Sequence, residues 1–249
     1  MMHNTNIYDQ ILSARKENRK LLAILLDPDK QDQDSLGECI ENIHNQPVDL
    51  ILVGGSEVRN GHTEALVHKV KQLSSLPVVL FPGDYSQITK EADALLFLNL
   101  LSGRNAEYLI NQQVKAVPKI EDSNLEILPT AYILVDGGVS TSVQRVSQTE
   151  PLSLKDEEAI VNTAIAGMYM GHKLVYLEAG SGAHNPVPAN LISLIRSKID
   201  IPIIAGGGIR DHRQLASAFE SGADMVVIGT AFEQNPSILR QILNNEHFH

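Results

Sequence analysis

The chain contains three short apolar runs that each end in glycine and other small residues: KLVYLEAGSG at 173–182, IPIIAGGGIR at 201–210 and MVVIGT at 225–230. An apolar run followed by glycines and then by a helical pattern predicts a strand, a loop of bare backbone and the start of a helix. Backbone N–H groups in such a loop approach an anion closely, and the helix dipole favours its negative charge. Many (β/α)8 barrels bind phosphate with the loops that follow their last strands. The three runs therefore predict a phosphate site in a barrel.

The alternation of strand and helix patterns continues over the whole chain. Its 249 residues match the length of about 250 residues that is typical of a (β/α)8 barrel. No composition break or long linker interrupts the pattern, so we predict one α/β TIM-barrel domain over residues 1–249. The predicted strands are 21–26, 50–53, 78–81, 94–98, 131–135, 174–177, 201–205 and 225–228, and the predicted helices are 7–20, 35–46, 62–73, 104–117, 154–170, 214–221 and 236–244.

Three details of this pattern are specific enough to test. The spacing of Ile7, Ile11, Leu12 and Ala14 predicts one apolar face on the first helix. Residues 85–93 are only weakly helical, so we expect a loop to replace one barrel helix there. Ser153, with acidic residues after it, predicts the start of the helix at 154.

Composition limits the classes of partner. The formal net charge of −10 and the pI near 5.3 argue against a nucleic-acid surface, which needs clustered Lys and Arg. The single cysteine, Cys39, falls in a helical pattern, excludes an intrachain disulfide and fits a reducing compartment. The N-terminus is polar and no apolar run is long enough to span a bilayer. We therefore expect a soluble cytoplasmic protein with no integral membrane segment.

In such a barrel the residues after each strand face the site. One side of the predicted mouth is rich in carboxylates and the other in glycine. Carboxylates near a hydroxyl suit Mg²⁺, which prefers oxygen ligands, although Asp-Pro-Asp also fits a plain turn. The triple glycine favours phosphate binding over a plain tight turn. The mouth residues are Asp27, Asp29, Ser56, Asp84, Asn99, Asp136 and Glu178, followed by the glycines.

Strand alternation places Tyr176 and Glu178 on the same side of their strand. If that side is the barrel interior near the mouth, the Glu178 carboxylate can hold or deprotonate a substrate hydroxyl. A glutamate paired with a nearby Arg or Lys is the alternative.

The motifs together resemble a known family, the geranylgeranylglyceryl phosphate synthases and the related heptaprenylglyceryl phosphate synthases. The Tyr-Leu-Glu-x-Gly-Ser-Gly stretch and the Asp-Pro-Asp-Lys stretch are its specific features. The resemblance covers most of the chain and rests on LDPDK at 26–30, VGGS at 53–56, LFPG at 80–83, YLEAGSG at 176–182, GGGIR at 206–210 and IGT at 228–230.

The resemblance implies a prenyltransferase that forms an ether bond between sn-glycerol 1-phosphate and a long-chain prenyl diphosphate, with geranylgeranyl diphosphate favoured, and that uses Mg²⁺. It assigns the metal to Asp27 and Ser56, and the chemistry to Glu178 and Tyr176. Leu25 stands where some members have a phosphate-binding lysine, and Thr230 where Asn is usual. The glycerol phosphate would be bound by Tyr176, Leu177, Glu178, Ala179, Gly180, Ser181, Gly182, Gly207, Gly208, Gly229 and Thr230.

The family also implies a homo-oligomer, with a hexamer favoured over a dimer, and an apolar groove for the prenyl tail. We expect that groove beside residues 82–92. Two other functions are compatible with the glycine loops. One is a different phosphate-binding barrel enzyme, such as a sugar-phosphate isomerase or synthase. The other is a non-catalytic protein that binds a phosphorylated metabolite.

Overall fold

The computed structural model describes residues 6–31 and 35–243. Eight parallel strands close into a barrel in chain order, and the last strand pairs with the first. Most strand residues are apolar and buried on both faces, as expected of a parallel sheet enclosed by helices. The strands are β1 Leu21–Leu26, β2 Leu50–Val53, β3 Val78–Leu80, β4 Ala94–Leu100, β5 Glu126–Leu134, β6 Leu174–Glu178, β7 Ile203–Gly206 and β8 Met225–Ile228.

Helices lie between the strands and outside the barrel, which confirms the (β/α)8 fold. Within the described part of the chain, no helix is long and apolar enough to cross a membrane. The helices are α1 Ile7–Lys16, α2 Leu36–His44, α3 His62–Leu73, α4 Gln112–Ile120, α5 Ser142–Ser147, α6 Glu157–Tyr169, α7 Ala189–Arg196, α8 His212–Glu220, α9 Thr230–Gln234 and α10 Ile238–Leu243.

Alternate strand residues separate into two apolar clusters, because successive side chains of a strand point to opposite faces. Ala23 and Leu52 belong to the inner cluster, whereas Ile24 and Val53 belong to the outer cluster beneath the helices. Helix α1 adds Ile7 and other residues to the inner cluster and so closes the amino-terminal end of the barrel. The opposite end, where the strands terminate, remains available for a site.

Helix α1 differs from its prediction in length and in its buried face. It ends at Lys16 rather than at residue 20, since Asn18 has a left-handed φ of 58° that a helix cannot continue through. Of the four residues predicted on the apolar face, Ile7, Ile11 and Ala14 are buried, whereas Leu12 is 37% exposed.

Later elements also depart from the prediction. Strand β5 begins five residues earlier than expected and pairs with β4 over seven residues. Helix α6 is capped by the Asp156 carboxylate, which accepts the Ala159 N–H at 3.0 Å, so the prediction that Ser153 opens it is wrong. Helices α5, α7 and α9 were not predicted. The last residue of the predicted helix 236–244 lies outside the described residues.

The connection between β3 and β4 confirms the expected missing helix. It contains only a 3-10 turn, Tyr85–Gln87. The two strands share two residue pairs, Val79 with Ala94 and Leu80 with Leu95, and then separate toward the mouth. Beyond these pairs β4 continues to Leu100 without a partner on its β3 side. A gap therefore opens in the barrel wall at this point.

Candidate active site

The carboxyl ends of all eight strands, or the loops after them, surround one cavity of about 420 Å³. Three parts of its lining differ in chemistry. The glycine wall consists of residues 180–182, 207–208 and 229–230, which follow β6, β7 and β8. The acidic wall consists of Asp27, Asp29, Lys30, Ser56 and Glu233, and the apolar arm of Ile88, Leu95, Phe97, Leu98 and Ala116.

Glu178 ends strand β6 and is only 7% exposed. Its Oε1 accepts the Gly180 N–H at 2.7 Å. Burial raises the pKa of Glu178 to about 7, because it penalises the charged carboxylate more than the Gly180 N–H and the neighbouring Tyr176 hydroxyl stabilise it. A carboxyl group with a pKa near the working pH suits proton transfer.

The Tyr176 hydroxyl lies next to this carboxyl group. A Cβ placed on Gly206 would be 2.4 Å from the Tyr176 hydroxyl and 2.9 Å from Glu178 Oε2, so both groups converge where glycine leaves space. Over residues 6–31 and 35–243, nothing offers the fully buried hydroxyl a hydrogen bond of normal geometry. Since buried polar groups are normally paired, the neighbouring Glu178 carboxyl is the group placed to pair with this hydroxyl.

Close backbone approach shapes the glycine wall. Gly207 has a left-handed φ of +82°, and a Cβ on it would be 2.5 Å from Glu178 Oε1 and 2.7 Å from the Gly180 nitrogen. The Ser181 and Thr230 hydroxyls are 2.9 Å apart and join the loops after β6 and β8. The Arg210 guanidinium donates to the Gly182 carbonyl at 3.3 Å and so joins the loop after β7. The wall is a set of backbone groups held by short links.

The acidic wall centres on Asp27, directly after β1. Asp27 Oδ1 accepts the Asp29 N–H at 3.1 Å. Gly55 brings the loop after β2 against this carboxylate, since a Cβ on Gly55 would be 3.1 Å from its atoms. Ser56, the next residue, lines the same part of the cavity. Asp27 and Ser56, distant in sequence, therefore line the same wall, and their assignment to a metal stays a prediction.

Across the described ranges, no three His, Cys, Asp or Glu side chains are grouped closely enough to hold a metal ion. The donor set at Asp27, with carboxylate oxygens and the nearby Ser56 hydroxyl, has the chemistry that Mg²⁺ prefers. Mg²⁺ typically uses one or two protein carboxylates and takes further ligands from water and substrate phosphates. The residues therefore fit a site that a phosphorylated substrate completes.

Three aromatic rings lie beneath the mouth. The ring of Phe81 stacks on Tyr176, with centroids 5.0 Å apart, and Tyr132 meets both rings edge-on. From here the apolar arm leads away. Its lining combines Leu98 of the inner cluster with Phe97 of the outer layer, so the cavity passes between β3 and β4 where the strands separate.

Most of the predicted substrate residues line the cavity, but four predicted positions do not. Leu177 and Ala179 belong to the outer cluster and face away from the cavity. Their side chains therefore cannot contact an acceptor bound there. Asn99 also points outward, where its Oδ1 contacts His172 Nε2 at 2.8 Å. Asp136 is exposed and accepts the Gly138 N–H outside the cavity. Asp84 does line the cavity.

Several cavity residues were not predicted as site residues. Lys30 and Arg210 lay within quoted motifs, but their direction could not be inferred from spacing. Glu233 lies one helical turn after Thr230. That spacing was the only feature of the sequence that could have placed Glu233 near the cavity. Leu25 lines the cavity against Gly229, where a Cβ would be 3.4 Å from its Cδ2, so the wall is apolar at the position of the family's lysine.

Comparison with known proteins gives a consistent result. The sequence pattern of the PcrB family matches residues 13–246. A geranylgeranylglyceryl phosphate synthase of Flavobacterium johnsoniae is 52% identical over 231 residues, which make up 93% of this chain and 95% of the relative. A protein of the same name from Thermococcus gammatolerans is 38% identical over 231 residues, with 92% and 91% of the two chains covered.

Solved structures agree with the fold. The (S)-3-O-geranylgeranylglyceryl phosphate synthase of Thermoplasma acidophilum, crystallised in complex with its substrate sn-glycerol-1-phosphate, superposes with a TM-score of 0.89 at 31% identity and covers 96% of each chain. The tryptophan synthase α-subunit of Pyrococcus furiosus superposes with a TM-score of 0.59 at 13% identity, which indicates a shared fold alone.

Proposed function

The chain belongs to the PcrB family, and from that premise we propose how its cavity transfers a long prenyl group from a prenyl diphosphate to sn-glycerol 1-phosphate. The acceptor's C3 hydroxyl oxygen forms a bond to C1 of the prenyl group as the bond from C1 to the diphosphate oxygen breaks. Diphosphate leaves and the hydroxyl proton is taken up by a base. One observation carries the proposal: a single cavity joins the glycine wall, the buried Glu178 and an apolar arm.

The acceptor occupies the glycine wall. Its phosphate accepts hydrogen bonds from backbone N–H groups of residues 207–208 and 229–230 and from the Ser181 and Thr230 hydroxyls. Leu25 supplies no positive charge, so these groups and the cavity-lining Arg210 carry the binding. The glycerol hydroxyl then faces Tyr176 and Glu178. Because the pKa of Glu178 is about 7, a large fraction of it is ionised near neutral pH and able to accept the proton.

The diphosphate of the donor lies at the acidic wall with Mg²⁺. Asp27 and Ser56 would hold the metal, and oxygens of the diphosphate and of water would complete its coordination. Bound Mg²⁺ would offset the negative charge that develops on the leaving diphosphate. The chain's own contribution is to place this wall beside the glycine wall, because β1 pairs with β8 and Glu233 lies in the helix that begins at Thr230.

The prenyl tail follows the apolar arm between β3 and β4. The arm runs past Ile88 and Ala116, so the tail lies beside residues 82–92. Geranylgeranyl diphosphate is the proposed donor, in keeping with the names of the matched relatives.

The direct test is an incubation of the protein with Mg²⁺, sn-glycerol 1-phosphate and prenyl diphosphates of graded length. We expect an ether-linked product and released diphosphate, with the highest kcat/KM for a long donor. A folded sample that forms no ether with any donor would contradict the proposed activity.

The metal assignment has its own test. We expect Asp27→Ala to abolish turnover and diphosphate-dependent Mn²⁺ binding, while sn-glycerol 1-phosphate still binds. Calorimetry with each ligand separates these effects. Loss of glycerol phosphate binding together with turnover would instead indicate that Asp27 supports the fold.

A further inference from the structure

Lys30 forms a closed set of contacts with two carboxylates of the acidic wall. Its ammonium nitrogen is 2.9 Å from Asp27 Oδ2 and 3.3 Å from Glu233 Oε2. The Asp27 backbone N–H donates to Glu233 Oε1 at 3.1 Å, so each of the three residues contacts the other two. All three line the cavity. A cation of the protein itself thus lies on the carboxylate that is proposed to hold the metal.

The three side chains differ in how freely they can move. The Lys30 side chain is 51% exposed, whereas those of Asp27 and Glu233 are 14% and 8% exposed. Lysine carries its charge on a flexible four-carbon stem. The two carboxylates are therefore the fixed part of the cluster and the ammonium is the part that can leave.

Charge decides when it should leave. With both carboxylates ionised, the cluster carries one net negative charge and repels a diphosphate. A divalent cation added at Asp27 reverses that sign and makes the cluster attractive to a polyanion. The ammonium lies on Asp27 Oδ2, one of the two oxygens with which this carboxylate would hold a metal, so the two cations compete there.

We propose that Lys30 is a diphosphate-binding residue stored on Asp27 and Glu233, from which the incoming divalent metal releases it. The freed ammonium turns to the diphosphate oxygens, and Glu233 is a positioning residue that holds Asp27 through its backbone. Metal and diphosphate then bind cooperatively, since the metal makes the net charge of the cluster positive and the released ammonium adds a hydrogen-bond donor for the diphosphate. This inference rests on the proposed function and adds a donor-binding residue to it.

The test is a Mn²⁺ titration of the full chain, followed by electron paramagnetic resonance, with and without inorganic diphosphate. By removing the competing charge, Lys30→Met should tighten Mn²⁺ binding without diphosphate on the order of tenfold. It should also lose, to a similar extent, the gain in Mn²⁺ affinity that diphosphate gives the wild type. Lys71→Met is the matched control, because Lys71 pairs with Asp93 at 2.6 Å away from the cavity. Lys30→Arg, which keeps the charge, should resemble the wild type without diphosphate.

Three results would overturn the inference. Unchanged Mn²⁺ affinities in Lys30→Met would remove the role of Lys30 while leaving the metal site in place. Weaker Mn²⁺ binding without diphosphate would show that Lys30 supports Asp27 rather than competes at it. Absence of Mn²⁺ binding even with diphosphate in the wild type would remove the metal site and this inference together. The ether-product assay reports separately on the proposed activity.

Discussion

The two sides of the cavity are built in opposite ways. After β6, β7 and β8, the glycine wall is assembled by backbone groups in close contact, and short links such as that between Ser181 and Thr230 join its loops. Between β3 and β4, the apolar arm exists because the strand pairing is short and a helix is missing. Strand β3 has three residues, its pairing with β4 covers two, and a 3-10 turn stands in place of a helix.

This contrast between the glycine wall and the apolar arm explains how one barrel can hold two unlike substrates. A small anion needs converging N–H groups at fixed positions, which tight backbone packing provides. A long apolar chain needs volume and apolar surface, which a missing helix provides at low cost to the rest of the barrel. Changes on the glycine wall should therefore affect the acceptor and the chemistry, and changes in the apolar arm should affect the donor alone.

The largest expected effect lies beside the glycine wall, at Glu178. Glu178→Gln should lower kcat by about 10²–10⁴-fold, because the variant cannot take the proton of the acceptor hydroxyl. In the wild type kcat/KM should rise with pH as Glu178 ionises around 7, and the variant should lack that rise. Steady-state kinetics over pH measure both effects. A variant that keeps wild-type kcat would show that Glu178 only orients the acceptor.

The same carboxyl group should make stability depend on pH. Because the folded protein binds the Glu178 proton more tightly than the unfolded chain does, the contribution is full below the unfolded pKa and is lost as pH rises through the folded value of about 7. Relative to Glu178→Gln, the wild type should lose about 1.4 kcal/mol of unfolding free energy per pH unit across this window. Denaturant unfolding at several pH values measures it, and a pH-independent difference would contradict the raised pKa.

A matched pair of glycines separates backbone strain from close approach. Gly207 and Gly61 both have a φ of +82°, but a Cβ on Gly61 would meet nothing within 4 Å. Gly61→Ala should cost about 1 kcal/mol of stability and leave catalysis unchanged. Gly207→Ala should in addition weaken sn-glycerol 1-phosphate binding by roughly tenfold or more, because its Cβ displaces Glu178 or Gly180. Equal effects of the two variants on binding would show that the glycine wall needs only the backbone conformation.

The smallest effect is expected in the apolar arm. Ala116 is 2% exposed and lines the arm, so Ala116→Leu should occupy part of its volume. We expect KM for a long prenyl diphosphate to rise several-fold. The rise corresponds to the loss of burial of about one to three methylene groups of the tail. KM for geranyl diphosphate and for the acceptor should not change. Donor titrations at both lengths measure this, and an equal rise for both donors would place the tail elsewhere.

The sequence was sufficient for features that depend on local pattern. The apolar runs predicted all eight strands, and the weak helical pattern of residues 85–93 predicted the missing helix. Local pattern failed where tertiary contacts decide the outcome. Strand β5 starts at Glu126 because β4 pairs with it there, and the carboxylate of Glu126 accepts the Tyr8 N–H at the start of α1. Leu12 is exposed although its spacing is amphipathic.

For the site, the motifs identified the chemistry and the structure selected the residues. Glu178 and Tyr176 share a face by the alternation of a strand, which spacing alone predicts. The same alternation turns Leu177 outward. The prediction missed this because it assigned every residue from 176 to 182 to the substrate.

By itself, the sequence determined that this chain forms a (β/α)8 barrel with glycine loops after its late strands, because strand and loop propensities act over a few neighbouring residues. Only the tertiary structure decided which groups meet. The pKa of Glu178 depends on burial, the place of Lys30 on a contact with Glu233 about two hundred positions away, and the apolar arm on how far β3 and β4 separate. These properties arise from distances between residues remote in the chain, which no local pattern encodes.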